Sequence, residues 1–351
     1  MKILVRATNW IGDAIMSLPA LREIRRRFPD GELFLQARPW VAAIYERERS
    51  LDHLIPLPAP PGLRELAPKA AQALKLRPHK FDLGILFPNS WESAALMRLA
   101  GARRIIGYAR DGRSMLLTTA VPTPKRGEIP PHERFYYLEL LRRAGVISEI
   151  ADTGQILLDG ADEARARGNE LFLRRGIDRN VIGVSPGAAY GGAKRWVPER
   201  FAQAAGRLAA AMDGAVAVFG SPAERDLCEA VARAAGGHNL AGSTTLRDYI
   251  DMTAACRMYL TNDSGAMHIS AALGVPTVTI FGPTDETATA ATGRLTRVIR
   301  EPVSCAPCLL RECPIDHRCM TGVTSDRVTQ EAELLIKIAG YSLEPQRHTG
   351  G

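Results

Sequence analysis

The fold is decided by the stretch Tyr259–His268, which reads YLTNDSGAMH and continues as ISAALGVPTVTIFGPT. A short apolar run ends in turn-forming residues, and Asp263 or Ser264 can cap the helix that follows. The Gly-Val-Pro sequence at 274–276 stops this helix ahead of a β-branched run, which is typical of a buried parallel strand. The stretch therefore predicts a strand, a tight turn, a helix and a second strand.

The turn of this stretch has two interpretations. A helix that follows a strand through Ser264 and Gly265 offers free backbone amides and the positive end of its dipole, which together suit a phosphate group. The alternative is that Asp263 and Ser264 only cap the helix and that His268 is a satisfied buried histidine. This stretch by itself favours neither interpretation.

The composition is that of a soluble globular protein. Its 351 residues are enough for two domains of ordinary size, and 46% of them are hydrophobic. The first residues contain too few apolar side chains before the first charges to form a signal peptide. Residues 264–284 carry no charged side chain, but Pro276 interrupts them, so a core helix and a strand are expected rather than a membrane span. We therefore expect a cytoplasmic protein.

The charge balance is basic, with 45 Lys and Arg against 38 Asp and Glu and a net charge of +7. Such an excess suits nucleic acid, an anionic membrane surface or a phosphorylated substrate, and it also improves solubility. The basic residues are spread over several predicted helices, and no spacing of a known nucleic-acid-binding module is present. Nucleic acid is therefore the least favoured partner.

Predicted strands and helices alternate along the whole chain. The predicted strands cover residues 2–7, 33–37, 54–57, 81–87, 105–108, 181–185, 215–219, 239–240, 258–261 and 277–281. Alternation of this kind predicts α/β architecture, with parallel sheets that are covered by helices on both faces. The two halves indicate two doubly wound domains that face each other across a cleft, 1–160 and 161–351, with the last helix able to pack back on the N-terminal domain. Ligands of such sheets bind beyond the strand ends, so the turns that follow strands are the candidate sites.

The first such turn contains Gly12 and Asp13. Asp13 begins a helix, and by itself this position is best explained as an N-cap. A carboxylate at the mouth of a cleft is also suited to act as a general base.

The second turn, residues 185–196, reads SPGAAYGGAKRW. Its small residues let backbone amides approach an anion, and Lys194 and Arg195 supply positive charge beyond them. A flexible loop with surface charges is the alternative. Two glycines beside two cations after a buried strand favour the phosphate site.

The third turn contains Ser221, Pro222 and Glu224. The acids of its first helical turn are best explained by the helix dipole, and contact with a ribose hydroxyl is the alternative. The chain contains neither a G-x-G-x-x-G nor a G-x-x-x-x-G-K-[ST] pattern, and no two aspartates lie two positions apart. A diphosphate would therefore be neutralised by Lys194, Arg195 and helix ends rather than by a metal held on an Asp-x-Asp pair.

The cysteines fall into two groups. Cys228 and Cys256 lie on predicted helices and are expected in the core, whereas four others crowd together near His317: Cys305, Cys308, Cys313 and Cys319. These four could hold a structural metal or remain unligated thiols, and the second state is favoured because their spacing matches no standard ligand pattern. A reducing cytosol argues against disulfides.

The combination of these turns resembles the lipopolysaccharide heptosyltransferase family, glycosyltransferase family 9, and most closely its type II branch. The likeness covers nearly the whole chain and is specific because of the order of its motifs: NWIGD at 9–13 with LPAL at 18–21, PGA at 186–188 with AKRW at 193–196, NDSGAMH at 262–268, FGPT at 281–284, and the cysteine cluster.

The resemblance implies a GT-B fold, with the acceptor on the first Rossmann-like domain and the nucleotide-sugar on the second. It implies an inverting transfer of L-glycero-D-manno-heptose from ADP-L-glycero-D-manno-heptose (ADP-heptose) to the first heptose of heptosyl-Kdo2-lipid A, in lipopolysaccharide core biosynthesis. The protein would work at the inner face of the cytoplasmic membrane as a peripheral protein, without a cofactor or a metal and without a nucleic-acid partner.

The resemblance also assigns residues. Asp13 matches the family's general base, and Lys194 matches the lysine that meets the donor phosphates. The remaining substrate-binding positions are Gly12, Gly187, Ala188, Arg195, Asp263, Ser264, Gly265 and His268. No ribose contact is assigned, because Ser221 and Pro222 stand where relatives carry an acid and Glu224 is offset.

Three alternatives stay open. A sister transferase of the heptosyltransferase I or III type would use another acceptor. A nucleotide-sugar epimerase would act on the donor without an acceptor. A basic nucleic-acid-binding protein would show binding that falls steeply with salt.

Overall fold

The structure is a computed structural model that describes residues 1–57, 66–151 and 154–343. The chain forms two compact units, Met1–Asp159 and Gly160–Gly351, against predicted domains of 1–160 and 161–351. Residues 152 and 153, which belong to the polar gap between the two predicted domains, lie outside the described residues.

The first unit contains a six-stranded sheet in which every pairing is parallel. Its strands are β1 (Lys2–Arg6), β2 (Glu32–Ala37), β3 (His53–Pro56), β4 (Leu83–Leu86), β5 (Arg104–Tyr108) and β6 (Thr119–Val121). Its helices are α1 (Ile11–Met16), α2 (Leu18–Arg27), α3 (Pro39–Ala42), α4 (Leu66–Leu76), α5 (Trp91–Leu99) and α6 (Arg134–Arg143). The order of strands across the sheet is β3-β2-β1-β4-β5-β6.

The second unit repeats this plan with another fully parallel sheet of six strands. Its strands are β7 (Asn180–Ser185), β8 (Gly214–Val218), β9 (His238–Asn239), β10 (Met258–Asn262), β11 (Thr277–Phe281) and β12 (Thr296–Arg300). Its helices are α7 (Ala161–Leu173), α8 (Pro198–Ala211), α9 (Arg225–Ala235), α10 (Leu246–Ala255), α11 (Gly265–Ala272), α12 (Glu286–Thr289), α13 (Arg318–Thr321) and α14 (Ser325–Ile338).

The two sheets share one topology. In the second sheet the order is β12-β11-β10-β7-β8-β9, which is the order of the first sheet read from its other edge. The predicted α/β, Rossmann-like doubly wound architecture is therefore confirmed. In each sheet the strand order reverses once, between β1 and β4 and between β7 and β10, and such a reversal opens a crevice at the carboxyl ends of the strands.

Pro19 marks a break between the first two helices. α1 ends at Met16 and α2 begins at Leu18, so the proline lies in the first turn of a new helix, where its missing N–H is not needed. Leu18, Leu21 and Ile24 of α2 are buried, and their spacing is that of one helix face. The break leaves α1 as a short helix that begins directly after the end of β1.

The last helix of the described residues, α14, contributes to the core of the second unit. Its Val328, Ala332 and Leu335 belong to the same hydrophobic core cluster as Val184 of β7. The expectation that the last helix also packs on the N-terminal domain stays a prediction.

The strand list of the sequence analysis omits β6 and β12, which are edge strands of their sheets. Both are short, and β12 carries two arginines, so neither shows the apolar run that identifies a central strand. No helix of the described residues is both long enough and apolar enough to cross a lipid bilayer.

Candidate active site

The glycine-rich loop of the second unit, residues 186–196, is fixed by the fully buried side chain of Asn262 at the end of β10. Asn262 Oδ1 accepts the backbone N–H of Trp196 at 3.0 Å, and its Nδ2 donates to the carbonyl of Pro186 at 2.7 Å. One amide thus holds both ends of the loop. Because β7 and β10 are neighbours at the strand-order reversal, the loop and the turn after β10 lie at the same carboxyl edge.

Lys194 and Asp263 form an ion pair at this edge. Lys194 Nζ lies 2.5 Å from Asp263 Oδ2, and the two side chains are only 13% and 6% exposed. The Thr284 hydroxyl donates to the same carboxylate oxygen at 2.6 Å. The Lys194 ammonium also lies 4.8 Å from the centre of the Tyr190 ring. The structure therefore brings together the two charged residues that the sequence analysis placed in separate turns.

α11 begins beside this pair. Ser264 is its N-cap, and its hydroxyl accepts the N–H of Ala266 at 3.3 Å, so the capping interpretation of Ser264 is confirmed. Asp263 does not cap the helix; its carboxylate is used by Lys194 and Thr284. Gly265 is the first helical residue, and His268 is buried in the helix one turn further on.

Gly187 and Ala188 form the buried floor of the loop. A Cβ atom on Gly187 would lie 1.9 Å from Glu224 Oε1, so the loop backbone packs directly on this carboxylate. The other oxygen of Glu224 accepts the N–H of Ser221 at 2.9 Å and its hydroxyl at 2.8 Å. The acid after the third turn therefore belongs to a capping box, as the helix-dipole interpretation expects. Arg195, by contrast, is exposed and lies outside the ion pair.

Asp13 lies in the first unit, in the first turn of α1 and directly beyond the end of β1. The N-cap of this helix is Trp10, so the interpretation of Asp13 as an N-cap is wrong. Gly12 and Asp13 are both half-buried, and no hydrogen bond reaches the Asp13 carboxylate from the described residues of this unit. Burial raises the pKa of Asp13 from 3.8 to about 6.

A second carboxyl group, that of Glu133, lies near Asp13. Burial and, to a smaller extent, the negative charge of Asp13 raise the pKa of Glu133 to about 7, and the positive charge of Arg110 opposes the shift. Glu133 stands immediately before α6, far from Asp13 in sequence, and the sequence analysis missed it. No spacing rule could have found it, because the two acids meet only through the packing of α6.

The turn after β4, beside β1, carries further polar groups. The fully buried Arg113 donates from one guanidinium nitrogen to the carbonyl of Pro88 at 2.5 Å and from the other to Asn89 Oδ1 at 3.2 Å. Asn89 Nδ2 donates in turn to the Tyr136 hydroxyl at 2.9 Å. Amide and hydroxyl groups that are held in this way suit the recognition of a sugar.

A basic cluster lies at the same edge of the first sheet. Arg6, Arg38 and Lys69 are all buried, and Glu92 accepts from Lys69 at 2.9 Å and lies 3.5 Å from Arg38. Burial and the charge of Arg38 lower the pKa of Arg6 to about 10. Arg6, Arg38 and Lys69 thus bring three cations to this edge of the first sheet, and cations attract an anionic ligand.

The four clustered cysteines follow β12. Cys305 and Cys308 are exposed, Cys313 is half-buried and Cys319 is buried, and all are free thiols. Within the described residues, no three Cys, His, Asp or Glu side chains converge in a way that could hold a metal ion. Burial raises the pKa of the Cys319 thiol, and the three other cysteines add to the shift.

A separate cavity of about 880 Å³ lies at the opposite edge of the second sheet. Its lining includes Asn180, Asp213 and Arg257, which stand at or just before the amino ends of β7, β8 and β10. It is therefore remote from Lys194 and Asp263, and parallel sheets bind ligands at the other edge.

Comparison with known proteins decides the family. The model of glycosyltransferase family 9 (heptosyltransferase) matches residues 70–318. The chain belongs to glycosyltransferase family 9. Family membership confirms both the predicted resemblance and the prediction that the chain is a glycosyltransferase.

Individual members of glycosyltransferase family 9 match over most of their length. The chain is 31% identical to lipopolysaccharide heptosyltransferase 2 of Escherichia coli K12 over 313 residues, which covers 86% of this chain and 88% of the relative. It is 27% identical to lipooligosaccharide heptosyltransferase 2 of Campylobacter jejuni, with 96% and 99% covered. The solved structure of E. coli ADP-heptose LPS heptosyltransferase II matches with a TM-score of 0.82 and 27% identity over 97% of this chain and 100% of that one. The predicted GT-B fold class is thereby confirmed.

Proposed function

We propose that this chain is the heptosyltransferase of type II, which moves L-glycero-D-manno-heptose from ADP-heptose to the first heptose of heptosyl-Kdo2-lipid A during lipopolysaccharide core synthesis. The observation that carries the proposal is the buried Lys194–Asp263 pair at the strand-order reversal of the second sheet. It is supported by the similarity of the chain to relatives that are named heptosyltransferase 2.

The second unit supplies the donor half of the reaction. The glycine-rich loop and the N-terminus of α11 lie at one edge of the second sheet, where the positive end of the helix dipole suits a diphosphate. The Lys194 ammonium has three N–H donors, of which Asp263 takes one, so the others are available to phosphate oxygens. Charge that grows on the leaving ADP is stabilised best by donors that are already in place.

The first unit supplies the acceptor half. Asp13 takes the proton of an acceptor hydroxyl as that oxygen attacks the anomeric carbon, and ADP leaves from the opposite face with inversion. A carboxylate with a pKa of about 6 is ionised at neutral pH and is a stronger base than an ordinary aspartate. Asn89 and Tyr136 are candidates for contacts with the sugar hydroxyls.

The basic cluster of Arg6, Arg38 and Lys69 supports an anionic acceptor. Lipid A and Kdo carry phosphates and carboxylates, and an excess of cations also favours contact with an anionic membrane surface. We therefore propose that the protein works peripherally at the inner face of the cytoplasmic membrane. We further propose chemistry without a metal or another cofactor, with Lys194 and helix ends taking the role that a divalent cation has in other transferases.

The decisive experiment is mass spectrometry of purified heptosyl-Kdo2-lipid A after incubation with the full chain and ADP-heptose. We expect an acceptor that is heavier by one heptose and stoichiometric release of ADP. Transfer only to Kdo2-lipid A, or only to a longer core, would overturn the type II assignment in favour of a sister transferase. A changed donor without any acceptor product would identify an epimerase.

A further inference from the structure

Residues 303–317, here called the cysteine-bearing segment, pack along the glycine-rich loop that carries Lys194. Two backbone amides of the loop are bound by this segment: Gly192 N–H donates to Glu312 Oε1 at 2.8 Å, and Ala193 N–H donates to the carbonyl of Arg311 at 2.9 Å. A Cβ atom on Gly191 would lie 2.3 Å from that same carbonyl, so the two backbones are in direct contact. The loop is therefore covered on this side by the segment rather than by solvent.

His317 adds a third hydrogen bond to the loop. Its Nε2 lies 2.7 Å from the carbonyl oxygen of Ala193, the residue next to Lys194. A carbonyl can only accept, so Nε2 carries the proton in this contact. The bond leaves Ala193 held through its N–H by Arg311 and through its C=O by His317, which fixes the peptide planes on which the orientation of Lys194 depends.

Tyr190 provides a fourth contact between the segment and the loop. Its hydroxyl donates to the carbonyl of Leu309 at 2.7 Å. The centre of its ring lies 4.8 Å from the Lys194 ammonium and 5.3 Å from the Arg311 guanidinium. The N–H of Leu309 donates to the carbonyl of Pro283 at 2.8 Å, immediately before Thr284. The segment thus contacts the loop that carries Lys194 and the residue that precedes Thr284.

We propose that the cysteine-bearing segment is a brace for the donor loop, with Glu312 and His317 as positioning residues for Lys194. This inference rests on the proposed function in taking Lys194 as the group that meets the donor phosphates. A free loop with glycines at 187, 191 and 192 would have many conformations. Contacts that exclude most of these conformations before the donor binds reduce the conformational entropy that is lost on binding. A braced lysine also requires less rearrangement as charge develops on the leaving group.

The test compares Ala and Gln at each positioning residue in the full chain. His317→Gln keeps an N–H donor near the position of Nε2, whereas His317→Ala removes it. Glu312→Gln keeps the oxygen that accepts from Gly192, and Glu312→Ala does not. His317 has left-handed backbone geometry, with φ of 56°, and Ala and Gln must both adopt it, so their difference reports the hydrogen bond rather than the backbone. Asp316→Asn is the matched control, because the exposed Asp316 pairs with Arg318 and not with the loop.

Three readouts separate positioning from stability: the Kd for ADP by calorimetry, the kinetic constants for donor and acceptor, and amide hydrogen exchange of residues 188–194. We expect His317→Ala and Glu312→Ala to weaken ADP binding by roughly three- to tenfold, as the loss of one hydrogen bond implies. The KM for the donor should rise, the KM for the acceptor should stay unchanged, and loop exchange should accelerate. Both Gln variants and Asp316→Asn should remain within about twofold of wild type, a difference well below one hydrogen bond.

Different outcomes overturn different statements. Equal ADP affinity and equal loop exchange in all variants would overturn the brace, even if the midpoint of thermal unfolding fell. Wild-type protein that binds ADP but transfers no heptose would overturn the proposed function, whereas a difference between the Ala and Gln variants would still support the brace. If the wild type bound no ADP, hydrogen exchange at residues 188–194 would decide. Exchange in the Ala variants at the wild-type rate would overturn the brace, and faster exchange in the Ala variants would support it.

Discussion

Replacing Lys194 by Met should destabilise the second unit strongly. The substitution keeps the length of the side chain but leaves Asp263, which is 5% exposed, with the Thr284 hydroxyl as its remaining side-chain donor in the described second unit. Removing one member of a buried ion pair costs roughly 3–5 kcal/mol, because the other charge stays buried without compensation. The pair lies at a strand end and is not fully enclosed, so we expect the lower end, about 3 kcal/mol.

The double variant Lys194→Met/Asp263→Asn separates folding from catalysis. Without the orphaned charge, the free energy of unfolding should return to within about 1 kcal/mol of wild type, since a buried pair contributes little net stability. The rate should not return, because no cation then meets the diphosphate. A loss of roughly 2–4 kcal/mol of transition-state stabilisation corresponds to a rate about 30- to 1,000-fold lower.

The measurement needs a reporter of the second unit alone, because two units need not unfold together. Trp196 is buried there, whereas the other three tryptophans, Trp10, Trp40 and Trp91, are exposed and lie in the first unit. Replacing those three by Phe makes Trp196 fluorescence the probe for urea unfolding. If the single Lys194 variant unfolds with the free energy of wild type, the buried-charge reasoning is refuted. A double variant with the wild-type rate would refute the role of Lys194 in catalysis.

Three further predictions concern other parts of the site. Asp13→Asn should abolish most turnover while ADP affinity stays near that of wild type, and wild-type kcat/KM should rise as pH increases through about 6, where Asp13 loses its proton. Folding raises the pKa of Asp13 from 3.8 to about 6, so the contribution of Asp13 to stability is fully present below pH 3.8 and is lost as the pH rises through about 6. At neutral pH, Asp13→Asn should therefore be more stable than wild type by up to roughly 3 kcal/mol, as measured by urea unfolding. Gly187→Ala should push the Glu224 carboxylate out of its capping box and lower the free energy of unfolding by about 1–2 kcal/mol. The control is Gly206→Ala, because a Cβ atom on Gly206 would lie 3.8 Å from its nearest neighbour; this variant should be as stable as wild type or more stable in the same assay. Chelation with EDTA should leave heptose transfer unchanged when ADP release is followed, and a strict dependence on Mg²⁺ would mean that the diphosphate is held in another way.

Most of the central elements could be predicted from the sequence, because their signals are local. The strands at the middle of each sheet are continuous apolar runs that end in turn formers, and they lie where the sequence predicts them. β6 and β12 could not be predicted, because β6 has only three residues and β12 is interrupted by two arginines, so neither is a continuous apolar run.

The turns that form the candidate site could be predicted from the sequence, but the contacts between their side chains could not. The sequence favours Asp13 as an N-cap because Asp is common at that position, yet Trp10 occupies it without a side-chain bond. Glu133 has no local signal, and the only signal for Asn262 is an amide at the end of a buried strand. Glu312 and His317 have no local signal either, because their contacts with the glycine-rich loop join residues that are more than 100 positions apart.

The alternation of strands and helices, the family and the candidate turns can all be predicted from the sequence, because periodicity, motif order and turn chemistry are contained within short windows of the chain. The pairing of Lys194 with Asp263, the proximity of Glu133 to Asp13 and the contacts of residues 303–317 with the glycine-rich loop exist only in the folded protein. These contacts join positions that are remote in sequence, and their distances follow from the strand order and the packing of the helices over it, which no local window contains.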